Sequence, residues 1–183
     1  DTIMTQVKTD NITIQELAKN LATFAIDRAD TKEILSALPK NNDLNVPSIE
    51  YEIQILKILS VGWAISFFIP VTDKKKEPVT QIFWNSIREV SNNVSTLTKT
   101  TTGQDINYFD ILKERLNTYL AIMQENPEET KNPVNIIGPA FACACGNENN
   151  AIVILTGSKM FTQTLGAVKE YLNIIKIDDI KLN

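Results

Sequence analysis

The run Ile58-Leu59-Ser60-Val61-Gly62-Trp63-Ala64-Ile65-Ser66-Phe67-Phe68-Ile69-Pro70-Val71 carries no charge, and its reading decides the fold. It continues a helical pattern that opens at Pro47-Ser48, where a first-turn proline gives up an N–H that a helix start leaves free anyway, and that extends from about Ile49 to Ile69. Glu50, Gln54 and Lys57 mark one polar stripe over the first turns, after which apolar side chains point all round. Such a helix belongs in the interior of a bundle or in a bilayer. Spanning a bilayer takes about 20 apolar residues. Lys57 and Gln54 interrupt the run on one side, and Asp73 with Lys74-Lys75-Lys76 closes it on the other. The segment, the one membrane candidate on this reading, is therefore expected to be a central strut in a water-soluble protein, with membrane insertion a minor alternative.

On its N-terminal side, Thr13-Ile14-Gln15-Glu16 is a capping box, followed by Ile14, Leu17, Ala18, Leu21, Phe24 and Ala25 on one helical face. Asp30 and Glu33 start a short second helix through Ile34, Leu35 and Leu38, which Pro39 ends. On its C-terminal side, Val79, Phe83, Ile87, Val90, Val94 and Leu97 form one amphipathic stripe, backed by Asn85, Arg88, Glu89 and Asn92. The threonine-rich stretch Thr98 to Gln104 reads as a loop. From Asp105, as N-cap, Phe109, Leu112, Leu116, Tyr119 or Leu120, and Met123 predict a further helix, with Glu114, Arg115 and Asn117 toward solvent. Asn126 to Pro133 is a polar linker suited to a hinge.

The last third admits two readings. Pro139 to Gly146 reads as a short helix ended by glycine, whereas a hairpin would join Val134–Gly146 to Ala151-Ile152-Val153-Ile154-Leu155. The longer pattern Ile154, Ser158, Phe161, Leu165, Val168, Leu172 and Ile175, at steps of four and three, favours one helix from Asn150 to about Ile175. The expectation is an all-α, single-domain bundle, orthogonal or up-down, of six or seven helices over residues 1–183. The central helix is Ile49–Ile69, the final helix is its antiparallel or crossing partner, and residues 1–12 form a flexible N-terminal segment.

Composition narrows the function. The 183 residues carry 18 Lys and Arg against 22 Asp and Glu, a net charge of -4, which disfavours nucleic acid as a partner. There is no histidine, so imidazole bases, serine–histidine triads and histidine metal ligands are excluded. Cys143 and Cys145 point about 200° apart on a helix, too far round to bridge, and two thiolates alone make a poor zinc site. They read as reduced, core-filling thiols suited to the cytoplasm. The start Asp1-Thr2-Ile3-Met4 shows no signal-peptide pattern.

Candidate chemistry is sparse. Glu50 and Glu52 point to different faces and read as solvated helix surface. Lys57, at the edge of the apolar run, is either a desolvated amine or a side chain that snorkels along its own stem to water or pairs with a carboxylate on a neighbouring helix, and snorkelling or pairing is favoured over the free amine. Trp63, Trp84 and Tyr119 line either a pocket between helices or an aromatic core. The resulting expectation is a non-enzymatic protein-interaction module with a protein partner or self-association and no cofactor or metal. The alternative is a small apolar or acidic ligand in an interhelical pocket, with Gln54, Lys57, Trp63, Trp84 and Tyr119 as its binding candidates.

Overall fold

The computed structural model describes residues 11–40 and 43–175. Among them are seven α-helices, one short 3-10 turn and no β-strand: the protein is an all-α bundle. Residues 1–10 of the expected flexible segment lie outside the described residues, whereas Ile12 packs against the core.

Local signals set most boundaries. Helix α1 (Ile14–Ile26) starts at the expected capping box, in which Glu16 N–H donates to Thr13 Oγ1 at 3.1 Å and Thr13 N–H donates to Glu16 Oε2 at 2.7 Å. Helix α2 (Ala29–Ser36) starts one residue before Asp30, because the Asp27 carboxylate takes the Ala29 N–H. Helix α3 (Val46–Phe68) is capped by the Asn45 side chain. Helix α4 covers Lys76–Thr102 and α5 covers Tyr108–Glu125, the latter capped by Asn107 and not by Asp105. The 3-10 turn Pro127–Lys131 occupies the polar linker and leads into α6 (Val134–Ala144). Helix α7 (Ala151–Ile174) begins where Asn150 Oδ1 accepts the N–H groups of Ile152 and Val153.

Helix α3 is the strut, touched by α1, α2, α4, α5, α6 and α7, with α7 its largest partner. Side-chain pairs give the directions. Asn147, just before α7, bonds Asp43 just before α3, Trp63 meets Phe161, and Lys169 stands over Phe68. The two helices thus run the same way, contrary to an antiparallel pairing, and the chain between them supplies the return. Helix α5 also follows α3, since Tyr108 meets Tyr51 and Tyr119 meets Trp63.

Three sequence expectations are corrected. The segment Thr98–Thr102 is helical, not a loop: Thr98, Thr100, Thr101 and Thr102 each donate their hydroxyl to the carbonyl four residues earlier, and Gly103 then closes the helix at φ 73°. Helix α6 starts at Val134, so Pro139 lies inside it. Burial of Ile136, Ile137 and Phe141 at about 2 kcal/mol each outweighs the proline penalty of about 3 kcal/mol. In α7 the buried stripe is Val153, Gly157, Met160, Thr164, Val168 and Tyr171, one position round from the expected seam, of which Phe161 and Val168 alone are fully enclosed. Gly157 explains the rotation: a Cβ there would stand 2.5 Å from the Phe141 ring, so the missing side chain is what lets α6 and α7 close together.

Candidate functional site

The five sequence candidates do not share one pocket. The fold distributes them over three places around α3.

Gln54 and Lys57 face the corner between α1 and α2. A helix end leaves its last carbonyls without partners. Gln54 Nε2 donates to Ala25 O at 3.0 Å and its Oε1 accepts the Thr31 hydroxyl at 2.7 Å. Lys57, fully buried, donates from Nζ to Asp27 O at 2.7 Å, pairs with Asp30 at 3.1 Å and lies 4.5 Å from the Phe24 ring centre. An ammonium at a helix C-terminus also complements the negative end of the macrodipole. These polar atoms are spent on closing the corner, and of the two outcomes expected for Lys57, snorkelling to water or pairing with a neighbouring carboxylate, the fold takes the pairing.

Trp63 and Tyr119 form a second cluster with Phe161, Glu52, Arg115 and Cys145. The rings of Trp63 and Tyr119 meet edge to face, centroids 5.7 Å apart, and Phe161 lies 5.9 Å from Trp63 on similar terms. Trp63 Nε1 and the Tyr119 hydroxyl are buried without a hydrogen-bond partner. Glu52 departs from the expected solvated surface: it is buried on α3 and takes a forked pair of bonds from Arg115 Nε and Nη2, at 3.0 and 2.8 Å. Arg115 is correspondingly turned inward from α5, not out to solvent. The Glu52 hydrogen bonds hold its guanidinium above its ordinary value. Burial, reinforced by the Glu52 charge, pushes the Tyr119 hydroxyl up and the Cys145 thiol up to about 12, so both stay neutral at physiological pH.

Trp84 stands elsewhere, on α4, with its ring against Gly62 of α3: a Cβ on that glycine would lie 2.5 Å from the indole. Cys145 is buried as a core thiol, whereas Cys143 is exposed, which corrects the shared core role and follows from their opposed directions on α6. Among the described residues, no three Cys, Asp or Glu side chains converge to hold a metal.

Two surface features remain. A groove of about 290 Å³ opens between α1 and the C-terminal ends of α3 and α7, with Phe68, Ile69 and Leu172 in its wall and Asp73, Lys75 and Lys169 at its rim. Along α7, Ile152, Leu155, Lys159, Thr162, Gly166, Lys169 and Asn173 form an exposed stripe at alternating steps of three and four. Leu155 is 68% exposed and Ile152 40%. By length and composition α7, as well as α3, is apolar enough to cross a membrane, so the sequence holds a second such segment besides the one around Ile58–Val71.

Comparison with family models, with curated proteins and with solved structures finds no match to the chain. The functional reading rests on these side chains.

Proposed function

We propose that the protein is a non-enzymatic helical module that binds another protein through the exposed side of α7. The observation that carries this is the pair Ile152 and Leu155, side by side on one helical face and turned to water. Farther along, the same track turns polar and basic through Lys159, Thr162 and Lys169. This pattern suits an amphipathic helix with an apolar patch and an acidic flank. The non-enzymatic assignment is supported by the absence of imidazole and by the commitment of the buried charges Lys57 and Glu52 to internal pairs. Free thiols fit a reducing compartment such as the cytoplasm.

Sedimentation of the purified chain, alone and after replacing Ile152 and Leu155 together by Gln, tests the reading. Concentration-dependent association, or capture of an acidic amphipathic helix, is expected for the native chain and lost in the variant. A strict monomer that binds neither such a helix nor an apolar dye would sink it.

A second reading, a small apolar or acidic ligand held between helices, is favoured by the groove beside Lys169.

A further inference from the structure

Resting on that second reading, we propose that the groove between α1, α3 and α7 binds a small amphipathic carboxylate: an apolar body ending in one carboxyl group. The volume, about 290 Å³, falls just below the roughly 300–1,000 Å³ typical of small-ligand sites and so limits the body to a short chain or a single ring. Leu17, Phe68, Ile69, Leu172 and Ile175 supply an apolar floor from three helices. Burying an alkyl chain against it gains about 0.8 kcal/mol per methylene.

The rim fixes the charge of the ligand. It holds two ammonium groups and one carboxylate, and Lys75 lies 3.7 Å from Asp73. Lys169 has no carboxylate within ion-pair distance among the described residues, and its Nζ stands 5.8 Å from the centre of the Phe68 ring, over the apolar floor. Among the described residues one positive charge is thus uncompensated where an apolar ligand would end. Lys169, Leu172 and Asn173 recur at i, i+3 and i+4 on α7, so one face offers a cation, a hydrophobic contact and an amide donor together. A bare inorganic anion would leave the floor unused. An amine would meet the unmatched ammonium of Lys169, with the Asp73 carboxylate already shared by Lys75. An alcohol would fill the floor and leave Lys169 unmatched.

The test uses the full chain with labelled Ile and Leu methyl groups, titrated at low salt with octanoate, octanol, octylamine and acetate. Octanoate is expected to shift the methyls of Leu17, Ile69 and Leu172 and to bind about threefold to tenfold tighter than octanol, an advantage that shrinks as salt screens it. Acetate leaves these methyls unmoved. Lys169→Met, which keeps the stem and removes the charge at an exposed position, should bring octanoate down to the octanol level with melting temperature unchanged, and Lys169→Arg should restore the preference. Equal binding of octanoate and octanol overturns the carboxylate assignment while leaving an apolar ligand site standing. No response to any of the four compounds overturns both. Groove methyls that shift with protein concentration, and not with octanoate, give the groove to a second copy of the chain and overturn the proposal as well.

Discussion

Helices α3 and α7 reach the same mean hydropathy over their most apolar eighteen residues, yet thirteen of 23 residues are buried in α3 and eight of 24 in α7. Position in the bundle, not composition, makes the difference. Six helices surround α3, so two of its charged residues, Glu52 and Lys57, are enclosed, and each has been given a partner of opposite charge. Helix α7 rests mainly on α3 and α6, so one of its sides faces water whatever it carries, and Ile152 and Leu155 are left there. The central helix shows what enclosure demands of a polar group, and the flanking one shows apolar surface to spare.

The sharpest way to break the contrast is to orphan a charge on α3. Arg115→Met removes the forked partner of Glu52 and leaves a buried carboxylate, which should cost about 3–5 kcal/mol in urea unfolding. Adding Glu52→Leu should recover most of that loss, because two apolar side chains of suitable volume replace an ion pair at little cost. A loss below about 1 kcal/mol in the single variant would mean that water reaches Glu52 and that α3 is less enclosed than described.

The same enclosure predicts an alkaline limb. The Cys145 thiol is raised to about 12 by burial and by the Glu52 charge, against 9.0 for the free group. Between those values the unfolded chain has released the proton and the folded chain keeps it, so the stability contributed by the neutral buried thiol is lost as pH climbs from about 9 toward 12. Cys145→Ala should flatten that part of a stability–pH profile. At neutral pH the exposed Cys143 should react with a thiol reagent at once, and Cys145 at a rate set by unfolding, which a timed labelling measurement separates.

How much of this was legible depended on whether one residue's neighbours lay in its own helix. The capping box at Thr13, the apolar strut and the start of α7 at Asn150 are local signals, and the fold keeps all three. For Lys57 the sequence left two outcomes open, since a lysine beginning an apolar run needs a carboxylate or an exit to water, and the neighbouring α2 decides for the carboxylate of Asp30. Glu52 was missed although it carries the same signal: it lies among Ile49, Ile53 and Leu56 on α3, and its partner is 63 positions away on α5. The helical Thr98–Thr102 was hidden because threonine favours loops unless its hydroxyl bonds back along the helix. The face of α7 was misplaced because periodicity counts apolar side chains, whereas Gly157 and Thr164 mark where neighbouring helices come closest.

That last point yields a paired experiment within α7 itself. An alanine normally stabilises a helix interior over glycine by about 0.5–1 kcal/mol. At Gly157 the added carbon would stand 2.5–2.7 Å from three atoms of Phe141, so Gly157→Ala should instead destabilise by about 1–3 kcal/mol, as α6 is levered away. Gly166 lies two and a half turns farther on, on the exposed stripe, with nothing within 4 Å of such a carbon. There Gly166→Ala should show the intrinsic gain of about 0.5–1 kcal/mol as a raised melting temperature. Opposite signs from the same substitution in one helix would establish that α7 has one packed side and one open side. Two gains would put the α6 contact in doubt, and two losses would mean that something already covers the stripe on which the protein-binding proposal stands.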